Sequence, residues 1–222
     1  MKPLIQKLPV AGQNSFVART YTTPHYETAW HQHKEVELIV QLKGSGMCFI
    51  GNYVGGFTEG DVFLLGSNLP HEFKKECKGA RCSVMVVHFD PQLWGDDFLN
   101  LPENTEIKFL LKQSLGAVKL DAHHAGELGN TLIRMENARG FERFTLLCLC
   151  LLNISRSKHK QTLSTLDTAN FATLADSKIN RIFEYTIRHF PSQITLPEIA
   201  ALVSMSVSAF CRFLSEIQKR LM

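Results

Sequence analysis

Apolar and polar positions along this chain follow a period of two at first and a helical period later. Between about residues 15 and 90, Val36, Leu38, Val40 and Leu42 alternate with Glu37, Ile39 and Gln41, which predicts a strand. Lys43-Gly44-Ser45-Gly46 reads as a turn, Met47 to Ile50 as a strand, Gly51-Asn52 as another turn and Gly55-Gly56 as a break. Gly60-Asp61 leads into Val62 to Leu65, and Ser83 to Phe89 is a further buried strand. Many short strands at close spacing predict a small antiparallel barrel or sandwich. After Pro91 the period lengthens. Thr105 to Leu115 and Ala122 to Asn137 read as helices, and Phe141 to Ile154 as a strongly apolar one. A helix apolar on that many faces must be buried, within the chain or against a second copy. Ser157 to Ala175 is polar, rich in Ser and Thr, and reads as a flexible linker.

The last part of the chain returns to helical spacing. From Ser177 to Phe190, residues Ile179, Ile182, Phe183, Ile187 and Phe190 form one apolar face. Ile194 to Leu214 then reads as helix, tight turn, helix. Thr195 and Glu198 have the spacing of a capping box, and Ile194 and Ile199 that of a hydrophobic staple. Leu196, Ile199, Ala200 and Val203 make one stripe, and Ser206 caps the second helix after a Ser204-Met205 turn. On that helix Phe210, Phe213, Leu214 and Ile217 repeat on a face to be buried, with Ser208, Cys211, Arg212 and Ser215 opposite. Small residues and one guanidinium on an outward face suit a helix laid in a major groove, and equally the solvated side of an ordinary helical hairpin.

Composition narrows the picture modestly. The 222 residues leave room for two small domains and a connector. A net charge of +3 permits a nucleic-acid partner without arguing for one. From Asp176 onward, six basic residues face four acidic ones, so any DNA signal lies in the motif rather than in bulk charge. The N-terminus lacks the apolar core of a signal peptide. The run Phe144 to Leu152 is too short to span a bilayer. Six cysteines occur without C-x-x-C spacing, as reduced thiols of a cytoplasmic protein would.

The candidate chemistry lies in His31-x-His33-x3-Glu37, where strand alternation would put two imidazoles and a carboxylate on one face. Three imidazoles and a carboxylate, counting His71, suit a divalent first-row metal such as zinc, nickel, iron or manganese. The alternative packs the histidines by hydrogen bonds in a pocket, with no cofactor. Trp30, Phe49 and His88 are candidates to line the same cavity. His123, His124 and His159 read as surface residues.

His31 to Gly44 resembles the first motif of cupin barrels, and Gly60 with His71 resembles the second. Gly66, Asn68 and Lys75 depart from the second motif, and His25 stands where a glycine opens the first. The resemblance implies a cupin barrel, a double-stranded β-helix, with His31, His33, Glu37 and His71 as metal ligands. Ile194-Thr195-Leu196, Ile199-Ala200, Met205-Ser206 and Phe210-x-Arg212-x-Leu214 resemble the first helix-turn-helix of AraC-family transcription regulators. The likeness covers roughly the last quarter of the chain and implies base-reading roles for Ser208, Cys211 and Arg212. That family carries a second helix-turn-helix, which has no counterpart before Met222, so a short DNA-binding region is implied.

The sequence therefore predicts a mixed α+β chain. Residues 1–100 form the all-β cupin-like sensor, 101–160 a helical connector that dimerises, 161–175 a linker and 176–222 an all-α helix-turn-helix. Its function would be effector-responsive DNA binding as a homodimer, with Trp30, His31, His33, Glu37, His71 and His88 at the ligand. The rival is a metal-dependent cupin enzyme, a dioxygenase or isomerase.

Overall fold

The central strand of the molecule is buried on both faces, which requires a layer on each side of it. In the computed structural model, which describes residues 3–5, 15–23, 29–75, 81–165, 177–189 and 192–221, this strand is β4 (Val36–Lys43). It lies in a six-stranded sheet of order β11-β10-β7-β4-β9-β2. The partners are β2 (Phe16–Thr23), β7 (Val62–Leu65), β9 (Cys82–Phe89), β10 (Val118–Leu120) and β11 (Gln161–Thr162). A five-stranded sheet of order β1-β3-β8-β5-β6 faces it. Those strands are β1 (Leu4–Ile5), β3 (His31–Gln32), β5 (Gly46–Ile50), β6 (Tyr53–Phe57) and β8 (His71–Lys75).

Alternation sorts the side chains into separate cores. Val36, Leu38, Val40, Val62, Leu64, Met85 and Val87 turn to the helices, while Ile39, Phe63, Leu65, Val84 and Val86 turn to the second sheet. The space between the sheets is filled by Cys48, Ile50, Phe57 and Phe73 from the five-stranded side. Phe73 meets Phe57 and Phe63 edge-on, at ring centroids 5.6 and 5.3 Å apart. The two sheets remain separate sheets among the described residues, not the closed barrel of the sequence expectation.

The helical layer on the six-stranded sheet comprises α2 (Thr105–Ser114), α4 (Leu128–Asn137) and α5 (Gly140–Arg156), with short helices α1 (Gly95–Leu99) and α3 (Ala122–Ala125). The expected helix from Ala122 to Asn137 is broken at Gly126, whose φ of 55° ends α3. In α5, Leu146, Leu147, Cys150, Leu151 and Ile154 are buried, while Phe141 is 79% and Leu149 42% exposed. Burial on this helix is therefore one-sided, not all round. Gly55-Gly56, expected as a break, sits inside β6. A Cβ at Gly55 would stand 2.1 Å from the Tyr53 hydroxyl, so that ring folds over its own strand only because residue 55 is glycine.

One charged group between the sheets is fully answered. Asp61 accepts from the Ala122 and Thr58 amides at 3.0 Å each, and Lys119 Nζ lies 3.0 Å from it. Lys119 Nζ is also 2.9 Å from the half-exposed Asp121 and 5.5 Å from the centre of the Phe63 ring. Burial opposes the Lys119 charge, yet Asp121 and Asp61 raise its pKa above the ordinary lysine value.

After β11 the chain is pinned to the β5–β6 turn. Ser164 Oγ donates to Asn52 Oδ1 at 2.8 Å and the Thr165 amide to the same oxygen at 3.1 Å. Most of the expected linker, residues 166–175, lies outside the described residues, as do His25 and Phe190. The chain resumes as α6 (Ser177–His189), α7 (Leu196–Leu202) and α8 (Val207–Leu221). Glu198 accepts from the Thr195 amide at 2.8 Å and hydroxyl at 2.9 Å, the capping box expected there. The Ala209 amide donates to Ser206 Oγ at 3.3 Å. Ser204 takes a φ of 56° in the turn, and the chain bends by 81° between α7 and α8. Ile199, Ala200, Val203 and Phe210 form a small core with Ile182 and Tyr185 of α6. Leu214, expected inside, is 38% exposed because this core is only three helices wide. Among the described residues no single helix is long and apolar enough to cross a membrane, and the cysteines are unpaired.

Candidate functional site

His31, His33, Glu37, His71 and His88 meet at one end of the space between the sheets, and all five are buried. The route differs from the continuous strand expected. β3 belongs to one sheet and β4 to the other, and the chain crosses between them at residues 33–35. His31 therefore approaches from the five-stranded sheet, Glu37 from the six-stranded one, and His33 from the crossing. Pairing supplies the others. His71 stands opposite His31, and His88 opposite Glu37.

The carboxylate is the hub. Glu37 Oε2 is 2.9 Å from His71 Nε2 and 3.3 Å from His33 Nε2, and Oε1 is 3.2 Å from His88 Nε2. The donor atoms of His31, His33, Glu37 and His71 lie within 4.8 Å of one another. The His31 and His71 rings meet edge-on with centroids 4.1 Å apart.

Backbone carbonyls set the tautomers. Nδ1 of His31 is 2.9 Å from the Ala29 oxygen, Nδ1 of His33 3.0 Å from that of Glu35, and Nδ1 of His71 2.8 Å from that of Leu69. A carbonyl oxygen only accepts, so each Nδ1 carries the proton and donates. Each neutral ring then turns an Nε2 lone pair toward the cluster. Protein metal sites hold histidine ligands in this way, with the far nitrogen fixed by a carbonyl.

The electrostatics follow. Burial works against the Glu37 charge, but the neighbouring His88 and His71 and a hydrogen bond with His33 hold its pKa well below the usual carboxylate range. His31 is pushed down to about 3, by burial first and by His71 next, despite Glu37. Burial also lowers His33, yet the hydrogen bond and charge of Glu37 raise it overall above the ordinary value. His71 Nε2, though 2.9 Å from the carboxylate, lacks the alignment of a hydrogen bond. It is a buried polar atom aimed at an anion with its hydrogen-bonding capacity unused.

This donor set fits a divalent cation. Two neutral imidazole lone pairs beside a carboxylate repel it, and a cation between them turns repulsion into ligation. Ligands at about 2.0–2.2 Å from one ion stand at most about 4.4 Å apart, so only a slight contraction is required. His31, His33, Glu37 and His71 are the residues that would hold it, and His88 would steady the second carboxylate oxygen. A small anionic effector could instead use protonated imidazoles.

Of the six expected ligand-contacting residues, Trp30 is not brought to this cluster. It packs with Phe49 and Ile187 and stacks on Phe183 of α6. Sequence reasoning missed Asp61 with Lys119, although Gly60-Asp61 was visible at the head of a strand, and missed the capping carbonyls, which leave no mark in side-chain identity. Ser208, Cys211 and Arg212 are exposed on α8, and His123, His124 and His159 at the surface, with His124 and His159 rings stacked 3.9 Å apart.

Residues 14–145 match the family model of the AraC-like ligand binding domain, more than half of the chain. Among solved structures, ToxT from Vibrio cholerae bound to (E)-4-(8-methylnaphthalen-1-yl)but-3-enoic acid is similar at 12% identity over 89% of this chain and 92% of that one, with a TM-score of 0.42. A cupin 2 conserved barrel domain protein from Salinispora arenicola is 18% identical, over 40% of this chain and 73% of that one, with a TM-score of 0.32. A mutant of Bacillus subtilis oxalate decarboxylase is 26% identical, over 28% of this chain and only 17% of that one, with a TM-score of 0.25. No curated protein matches the sequence. By the match across its sheets and helices, the chain belongs to the AraC-like ligand-binding domain family.

Proposed function

We propose that the chain is an effector-responsive transcription regulator that senses a divalent cation, or a small molecule held through one, at Glu37 and its histidines. What carries this reading is a buried carboxylate ringed by imidazoles in a ligand-binding fold of AraC type. The domain assignment proposed is a sensor over 1–100, a connector over 101–160, a linker over 161–175 and a DNA-directed unit over 176–222. In that unit α7 and α8 act as a helix-turn-helix, with exposed Ser208, Cys211 and Arg212 facing bases and Arg212 forking onto guanine. The exposed Phe141 and Leu149 on α5 support a homodimer through that helix.

Selection of bound sequences from a random DNA pool, followed by gel shift, tests the DNA role. Arg212→Ala should weaken binding to the selected site by about 1–3 kcal/mol; an unchanged shift rejects that face. Sedimentation tests the dimer, which Leu149→Glu should split into monomers. The same cluster also favours a second reading, a metal-dependent dioxygenase or isomerase. Turnover of candidate substrates by metal-loaded protein, without any selected DNA site, would favour the enzyme.

A further inference from the structure

The outer face of the five-stranded sheet, directly behind the imidazole cluster, is covered by a helix from the C-terminal unit. Alternation makes the two sides neighbours. On β8, His71 and Phe73 turn inward, so Glu72 and Lys74 turn out. On β5, Cys48 and Ile50 turn inward, so Met47 and Phe49 turn out. Trp30 directly precedes His31 and packs on that outer patch. There α6 docks. Phe183 stacks on Trp30 with centroids 6.2 Å apart and planes at 19°, and Ile187 is buried against Trp30 and Phe49. Lys74 Nζ donates to the Ile187 carbonyl at 2.8 Å. That oxygen belongs to the last turn of α6, where carbonyls lack helical partners and the helix dipole is negative, so the sheet supplies the cap. Glu72 lies 3.5 Å from Lys74 Nζ and takes a hydrogen bond from the Trp30 backbone, tying β8 to β3 across the same patch.

The strand pair between these two sides is held by little backbone: β3 and β8 pair at His31 and His71, with the Asn68 amide donating to the His33 carbonyl at 2.7 Å beside them. Side chains therefore decide how firmly it closes. From inside, a ligand shared by His31 and His71 would clamp the pair. From outside, α6 clamps it through Trp30 and Lys74. Whichever clamp forms first orders the strands the other needs, and such shared ordering is a coupling free energy between the two sites.

We propose that α6 is a latch: filling the His31, His33, Glu37 and His71 cluster and docking α6 on β3, β5 and β8 reinforce each other. Loss of the ligand then loosens α6, and with it α7 and α8, whose core includes Ile182 and Tyr185 of α6. The latch rests on the sensing role proposed for the cluster, and adds the route by which sensing reaches the DNA-directed helices.

The test uses the full chain with zinc(II) alone as probe. Hydrogen–deuterium exchange over residues 177–189 is followed with and without zinc, and zinc affinity is measured for the parent, Phe183→Ala and Lys74→Met. Zinc should slow exchange across α6 about fivefold or more, and both variants, which change no zinc donor, should weaken zinc binding by a similar factor. The exchange experiment on the parent needs no variant, so it stands even if one fails to fold. If zinc binds the parent and His33→Ala abolishes binding, while α6 exchange and both variants' affinities stay unchanged, the latch is overturned and the sensing site survives. If zinc does not bind the parent, the cation reading and the latch fall together.

Discussion

Two buried carboxylates lie between the same pair of sheets, and their surroundings are opposite in kind. Asp61 meets donors only: two backbone amides and the Lys119 ammonium. Nothing about it remains to be satisfied, so it acts as a lock between β7, β10 and the start of α3. Glu37 instead meets Nε2 of His33 and His71, whose Nδ1 atoms are committed to carbonyls, and Nε2 of His88. The first two rings serve the carboxylate only by taking up protons or by sharing a cation with it. A buried charge with a complete set of donors is structure; one facing acceptors is chemically suited to a cation.

The sharpest way to break this contrast is Lys119→Met. It strands Asp61 as an unpaired buried charge and should lower stability by about 3–5 kcal/mol, read from urea unfolding. Zinc affinity should be untouched; a parallel loss of affinity would show that the two carboxylates are not independent. Glu37→Gln attacks the other side. The cluster keeps its shape but loses its anion, and zinc affinity in calorimetry should fall at least about a hundredfold, about 2.7 kcal/mol. An affinity within threefold of the parent would remove Glu37 from the ligand set.

Acid offers a third comparison. His31 has its pKa depressed in the folded state, to about 3, so below its unfolded value near 6.5 the unfolded chain binds a proton that the folded one refuses. Stability is lost as pH falls through that window, with a slope approaching about 1.4 kcal/mol per pH unit. His33 has the opposite sign. Its raised pKa contributes stability that is present below about 6.5 and lost as pH rises through the folded value. Glu37 is depressed too, and its contribution fades only below the unfolded value near 4.3. Chelator-treated protein between pH 4.5 and 6.5 therefore isolates His31. His31→Gln should flatten the acid limb of the stability curve there, and an unchanged slope would mean that the ring is not held neutral. The smallest effect belongs to Asp121→Asn. That carboxylate is half-exposed, so its loss should change stability by no more than about 1 kcal/mol, unlike the removal of Lys119 itself.

Much of this contrast can be read from residue order. Alternation from Val36 to Gln41 identifies a strand and puts Glu37 on the face of Ile39, and the His31-His33-Glu37 spacing picks out residues that do converge. The path is not legible, since nothing in His33-Lys34-Glu35 announces that the chain changes sheets there. Nor are the acceptors of the three Nδ1 protons, because every residue carries the same carbonyl. Trp30 stands apart from the cluster for a related reason: its neighbour His31 faces the cluster, and one residue along an extended chain reverses the direction. The Thr195–Glu198 cap could be read because it is local, whereas the exposure of Leu214 depends on how few helices surround it.

Ser164 and Thr165, fastened to Asn52, fix the point from which the C-terminal helices are tethered. From Thr165 to Ser177 a fully extended chain spans at most about 40 Å. Even when undocked, α6 would stay within a sphere of that radius, in which one molecule amounts to a concentration of a few millimolar. Docking thus behaves as a first-order equilibrium indifferent to how much protein a cell contains. A contact as small as a stacked ring pair and one lysine cap needs only millimolar intrinsic affinity to sit near balance, where a modest push from a bound ligand has the greatest leverage.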